Sequence, residues 1–346
     1  MGLNEVEFEV RAGLGRITLN RPRALNALNH PMVRAIAQHL EQWRDDSEVR
    51  AVVLDGAGER GLCAGGDIRA IYEDARSGGV SSLDFWADEY RLNALISRYP
   101  KPYVAIMDGI VLGGGVGISA HGSHRVVTDR SRVAMPETGI GFVPDVGGTW
   151  LLSHAPGQLG THAALTAAQL SGADAIHCGL ADRYVPADRL PELYAALATR
   201  TPDEALDLLA ESPPASRLAA EREWIDYCYA PDTVEEILVR LRDGGDAALA
   251  AVKELEGKSP TSLKVTLRAL RAAAVLPDLG NALEQEYRIA HRAFASAEFA
   301  EGVRAQIIDK DRSPRWSPST VAEVGDDLVE SYFADLGEHE LTGVRN

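Results

Sequence analysis

Val111-Leu112-Gly113-Gly114-Gly115-Val116-Gly117 is followed, after a short strand-like piece, by Met135-Pro136-Glu137-Thr138-Gly139-Ile140-Gly141-Phe142-Val143-Pro144-Asp145-Val146-Gly147-Gly148. The first stretch is a glycine run that can open a helix with bare backbone N–H groups. The second carries two carboxylates, Glu137 and Asp145, on a loop bent by glycine and proline. A reaction that builds negative charge on a carbonyl oxygen needs oriented amides at that oxygen and a carboxylate beside the carbon under attack. Donors followed by acids fit that need.

Around this stretch the pattern repeats. Residues 6–10 and 16–19 alternate about Gly13-Leu14-Gly15 and read as a hairpin. An amphipathic helix then runs to about Trp43, with Asn26 or Asn29 as its cap, and Val49-Arg50-Ala51-Val52-Val53-Leu54 reads as a buried strand. A second glycine bend, Ala64-Gly65-Gly66-Asp67, leads into another helix. Residues 83–99 are helical in pattern, 103–107 form a strand, the glycine run starts a helix, and 125–128 form a strand again. Strand, glycine bend and helix in this order predict an α/β core with its bends collected at one edge. From about residue 190 the chain is rich in Ala, Leu, Glu and Arg at helical spacing, broken at Pro213-Pro214, Pro231, Pro260 and Pro277. The change of pattern divides the chain into residues 1–195 and 196–346, and the acidic segment after Trp316 reads as a frayed tail.

Composition narrows the classes of function. The chain has 346 residues and a net charge of −16, which argues against a nucleic-acid surface or an anionic membrane as main partner. Its three cysteines, Cys63, Cys178 and Cys228, lack metal spacing and suit a reducing compartment. The N-terminal Met1-Gly2-Leu3-Asn4-Glu5-Val6-Glu7 carries acids where a secretory peptide would be basic, so a cytoplasmic place is expected.

The glycine run does not bind a dinucleotide, because Gly-x-Gly-x-x-Gly from Gly113 needs glycine at 118 and finds Ile118. Close backbone packing and an amide site for an oxyanion both remain as readings. The bend at Gly65-Gly66 favours the second, since two bends entering helices can aim two N–H groups at one oxygen. Glu137 lies in an apolar, glycine-spaced surround unlike a wet loop. Asp145 either takes part in chemistry or caps the helix that begins near Gly148. Ser119 imitates a nucleophile elbow without its last glycine, and His121 and His124 read as structural, so no metal is called for.

These residues resemble a known superfamily. Leu19-Asn20-Arg21-Pro22, Ala24-Leu25-Asn26-Ala27-Leu28, Cys63-Ala64-Gly65-Gly66-Asp67-Ile68 and Gly113-Gly114-Gly115 are similar to the crotonase (enoyl-CoA hydratase/isomerase) family over residues 5–190. Pro136-Glu137-Thr138-Gly139-Ile140-Gly141 with Phe142-Val143-Pro144-Asp145, Ser259-Pro260-Thr261-Ser262-Leu263-Lys264, and Glu301-Gly302-Val303-Arg304-Ala305 through Trp316 resemble its 3-hydroxyisobutyryl-CoA hydrolase branch. The resemblance implies an α/β fold with a ββα spiral core and a helical C-terminal region over the CoA and acyl pocket. It implies oxyanion donors at the Gly66 and Gly114 amides, with Glu137 as nucleophile or base and Asp145 on the substrate hydroxyl or the water. Glu89 and Gly117 would meet the acyl group, while Arg23, Ala24, Leu25, Ala64, Ile68 and Lys310 would hold coenzyme A.

Family hydratases carry a first glutamate where this chain has Gly117, so the resemblance implies thioester hydrolysis of a short β-hydroxyacyl-CoA, as in valine breakdown. Two alternatives stand beside it: an enoyl-CoA isomerase or weak hydratase using Glu137 alone, and a non-catalytic acyl-CoA-binding protein. No cofactor is expected, coenzyme A being part of the substrate. The expected partner is the acyl-CoA itself, with no nucleic acid and no membrane, and homo-oligomers are compatible with the reading.

Overall fold

The computed structural model describes residues 5–345; residues 1–4, on which the reading of the amino terminus partly rests, lie outside the described residues. The hairpin forms as β1 (Val6–Arg11) and β2 (Leu14–Leu19), paired antiparallel with Val6 opposite Leu19. Parallel to β2 runs β3 (Ala51–Gly56), then β4 (Tyr103–Met107), and a second sheet begins with β5 (Ile110–Leu112). The remaining strands are β6 (His124–Val127), β7 (Arg132–Ala134), β8 (Leu170–Ser171) and β9 (Arg183–Tyr184). The larger sheet has the order β1-β2-β3-β4-β6-β9, and the smaller has β5-β7-β8. Every residue of β4 is buried, the continuous apolar run expected of a parallel strand covered on both faces.

Of the two candidate caps, Asn29 starts the helix His30–Arg44 by accepting the Met32 N–H at 3.0 Å. Asn26 instead sits at φ +57 and is buried; its amide donates to Ala57 O at 3.0 Å and Gly61 O at 3.1 Å. This asparagine therefore staples the turn after Pro22 to the chain ahead of the first glycine bend.

The compact units do not follow the change of pattern near residue 195. One comprises Met1–Gly66, Arg91–Ala134 and Leu170–Arg217; the other comprises Asp67–Tyr90, Met135–Gln169 and Leu218–Asn346. The physical reason is visible in the first unit. Its sheet needs helices to cover it, so Leu190, Leu193, Leu197, Ala205, Leu206 and Leu209 join Val53, Val104, Ile106 and Val126 in one core. The helices Leu190–Leu197 and Pro202–Leu209 thus belong with the strands.

In the second unit the helices Pro260–Ala273 and Leu279–Phe294 are buried along long stripes. The segment after Trp316, read as frayed, is corrected: Val324, Val329, Tyr332, Leu341 and Val344 are buried, Lys264 Nζ donates to Val324 O at 2.8 Å, and Arg288 pairs with Glu340 at 2.8 Å. Single apolar anchors spaced through acidic sequence give no periodic signal, yet each finds a place in the packing. Among the described residues no helix is long and apolar enough to cross a membrane.

Candidate active site

In the first unit the two glycine bends pack against each other. Cys63 N–H donates to Ile110 O at 3.1 Å and Leu112 N–H to Cys63 O at 2.9 Å, so the chain before each bend is paired like adjacent strands. Gly65 then turns at φ +100, and Gly113 turns at φ +48 into the short helix Gly114–Gly117. A Cβ on Gly115 would lie 2.5 Å from Cys63 O, and one on Gly65 would lie 3.2 Å from Leu112 O. Close approach and unbonded amides are therefore one design: the glycines let the bends touch, and neither the Gly66 nor the Gly114 N–H donates to a protein acceptor among the described residues. Gly117 is buried at the end of that helix, which carries no carboxylate.

The residues nominated for coenzyme A fall on neighbouring backbone. Pro22–Ala24 form a 3-10 turn closed by Leu25 at φ +53, Ala64 N–H donates to Leu25 O at 3.0 Å, and Leu28 N–H to Gly65 O at 2.8 Å. Arg23 is exposed. Ser119, set aside as a nucleophile, is buried and donates to Gly115 O at 2.6 Å.

The acids gather in the second unit. Glu137 opens a 3-10 turn, Glu137–Ile140, closed by Gly141 at φ +74. Glycine spacing around it has a packing cause: a Cβ on Gly141 would fall 2.5 Å from Glu298 O, and one on Gly302 would fall 2.4 Å from Ile140 O. The turn lies against the helix Ala297–Val303, and aromatic rings surround it, with Trp86 stacked on Phe142 at 5.2 Å and Phe142 5.7 Å from Phe299. Glu89 and Tyr90 come from the helix Ser81–Ser97, and Tyr90 donates its hydroxyl to Asp145 Oδ2 at 2.8 Å. Of the two readings left open for Asp145, the cap fails, because its side chain makes no bond to the helix Gly148–Ser153.

Glu89, Glu137, Asp145 and Glu286 are all buried, and none has an ion pair among the described residues. Burial pushes each upward. Glu137 and Glu89 are raised well above the ordinary range, by burial first and then by the negative field of Asp145. Asp145 rises to about 7 through burial, with the Tyr90 hydrogen bond pulling the other way. Glu286 rises to about 8, again mainly through burial, against the donors on Thr149 and Gly147. One oxygen each of Glu89 and Glu137 is buried without a hydrogen-bond partner. Buried carboxyl groups raised above their ordinary range, with an oxygen left unbonded, are suited to proton transfer in a catalytic site.

Ile68 begins the helix Ile68–Ser77, which Asp67 caps by accepting the Ala70 N–H at 3.4 Å. Lys310 is exposed at φ +58; its neighbours Asp309 and Asp311 both turn back to Arg304, at 2.7 and 2.6 Å. Tyr90 and Glu286 were not singled out by the sequence reading. Tyr90 adjoins Glu89 in a stretch already marked, whereas Glu286 looks like one acid among several in Glu284-Gln285-Glu286. Its signal is register, since it shares a helix face with Ala282, Ile289, Ala290 and Ala293, all buried.

The pattern of a family described as Enoyl-CoA hydratase/isomerase matches residues 14–333. A relative from Danio rerio, named 3-hydroxyisobutyryl-CoA hydrolase, mitochondrial, is 43% identical, with 98% of this chain and 91% of that protein covered. A solved structure titled as a carnitinyl-CoA dehydratase from Mycobacterium thermoresistibile is 53% identical with a TM-score of 0.96, covering 99% of both chains. Another, titled as an enoyl-CoA hydratase from Rhodobacter sphaeroides, is 43% identical with a TM-score of 0.93, covering 98% of this chain and 100% of that one. The crotonase-like α/β fold expected from the motifs is the one these neighbours share. The expected cytoplasmic place is corrected by the relative's name, which is mitochondrial.

Proposed function

Because the chain belongs to the enoyl-CoA hydratase/isomerase family, we propose that it hydrolyses the thioester of a short β-hydroxyacyl-CoA, 3-hydroxyisobutyryl-CoA above all, a step of valine breakdown. The observation that carries the reading is the buried, cation-free set of Glu89, Glu137 and Asp145 on a chain aligned over 98% of its length with a relative of that name. In this reading the Gly66 and Gly114 amides take the negative charge that develops on the thioester oxygen. Glu137 either attacks the carbonyl carbon to form an anhydride, which water then cleaves to release the acid and free Glu137, or removes a proton from the water that attacks directly; in both routes the C–S bond breaks and the coenzyme A thiolate gains a proton. Asp145 and Glu89 hold the β-hydroxyl or the water. Arg23, Ala24, Leu25, Ala64, Ile68 and Lys310 hold coenzyme A, which enters as part of the substrate, and no separate cofactor takes part.

Gly117 is the chemical reason to prefer hydrolysis over hydration, since adding water across a double bond uses an acid at that position together with Glu137. The titles of the two solved structures favour the second reading, in which Glu137 alone adds or removes water. A panel of acyl-CoAs with and without a β-hydroxyl tests the first. Free thiol should appear fastest from the short β-hydroxyacyl-CoA, and kcat/KM should fall at least about tenfold when the hydroxyl is absent, since a group built to bond it is left unpaired. Equal rates across the panel would remove Asp145 and Glu89 from substrate recognition.

A further inference from the structure

Glu286 is fully buried and makes no direct contact in the proposed hydrolysis. It sits in the middle of the helix Leu279–Phe294, and its carboxylate reaches the start of a different helix. Oε2 accepts the Gly147 N–H at 2.6 Å, while Oε1 accepts the Thr149 N–H at 2.9 Å and also the Thr149 hydroxyl. The helix Gly148–Ser153 thus begins at a glycine with no capping side chain of its own, and its amides are served by a residue far along the chain.

An aspartate at the head of a tight turn ordinarily bonds the amide two residues on. For Asp145 that amide belongs to Gly147, in a turn already closed by Gly148 N–H on Asp145 O at 2.6 Å. Glu286 occupies the very donor that would otherwise fold the Asp145 side chain onto its own backbone. Between them Val146 is held at φ +52, a conformation a β-branched residue adopts only where the surroundings enforce it. The carboxylate of Asp145 is bonded instead by the Tyr90 hydroxyl and by its own backbone N–H.

We propose that Glu286 is the positioning residue for Asp145: by taking the amides of Gly147 and Thr149 it keeps the Asp145 carboxylate off the Gly147 N–H and aimed at Tyr90. The inference rests on the hydrolase reading only in its kinetic arm, and a structural arm stands apart from it. Glu286→Ala should lower kcat for thiol release by about 10- to 100-fold with KM within a few-fold, because it removes an arrangement used at the reacting centre. Glu286→Gln, whose one oxygen can serve one of the two amides, should fall between.

In an Asp145→Asn background the same Glu286→Ala change should cost at most about twofold, since residues acting as a unit are not additive. A crystal structure of Glu286→Ala should show the Asp145 carboxylate turned onto the Gly147 N–H and away from Tyr90. An undiminished kcat, an equal loss in the Asp145→Asn background, or an Asp145 still on Tyr90 would each overturn the proposal. If Glu286→Ala does not fold, Glu286→Gln carries both arms. If the wild-type chain releases no thiol, the hydrolase reading alone fails, and the position of Asp145 in the crystal decides this one.

Discussion

At the glycine bends of the first unit the atoms proposed to work are backbone N–H groups, aimed by the local path of a few consecutive residues. At the acid cluster of the second unit they are side-chain oxygens from Glu89, Glu137, Asp145 and Glu286, collected from three separated stretches and altered by burial together. The first is fixed by sterics and is indifferent to pH. The second is fixed by desolvation and like charge, and it titrates. Function that lives in the backbone is written where it acts, whereas function that lives in a shifted carboxyl depends on what the rest of the chain brings beside it.

The comparison breaks most sharply at Glu137. Glu137→Gln keeps the shape and removes the charge, and kcat should fall at least about 10²-fold, about 3 kcal/mol of barrier, with CoA affinity within a few-fold. Steady-state kinetics on the variant check this, and near-normal turnover would remove Glu137 from the chemistry. Gly115→Ala tests the other side. Its methyl would meet Cys63 O at 2.5 Å, so the bends must part; we expect roughly 2–3 kcal/mol of lost stability, equal at pH 5 and pH 8, by denaturant titration. A loss that varied with pH would contradict the steric account.

Asp145→Asn sharpens the contrast through linkage. Folding raises Asp145 from 3.8 to about 7, so the folded state holds its proton more tightly. Between those values unfolding releases a proton, and stability falls as pH rises; below about pH 4 the group costs nothing, and above about pH 7 its cost is complete. The full shift would correspond to roughly 4 kcal/mol, and sharing within the cluster leaves on the order of 2. The asparagine variant should therefore gain on wild type by that amount between pH 4 and pH 7, and parallel stability curves would show that Asp145 is not held raised. The smallest effect belongs to Lys310→Ala: a KM for acyl-CoA raised about threefold, kcat little changed, and the difference shrinking as salt is added. An unaltered KM at low ionic strength would return Lys310 to the solvated surface.

The contrast also explains what the sequence disclosed. Both glycine bends, the hairpin, β4 and the carboxylates of the Pro136-Glu137 loop are legible because each is a local pattern. The interleaving of the two units was not, because helices 190–197 and 202–209 look the same whether they cover a sheet or one another. Neither was the state of Asp145. Its cap reading was locally sound, and it gives way to Glu286, which holds the Gly147 amide from 139 residues away.

The account stands on one reaction, and 3-hydroxyisobutyryl-CoA separates its rivals, because losing the thiol and losing water from that molecule leave different products. One sample of the wild-type chain should be followed at once with a thiol reagent and by enoyl-thioester absorbance. The account predicts free thiol rising to match the substrate consumed, with no enoyl signal. Enoyl absorbance growing without thiol would contradict it and give the site to dehydration.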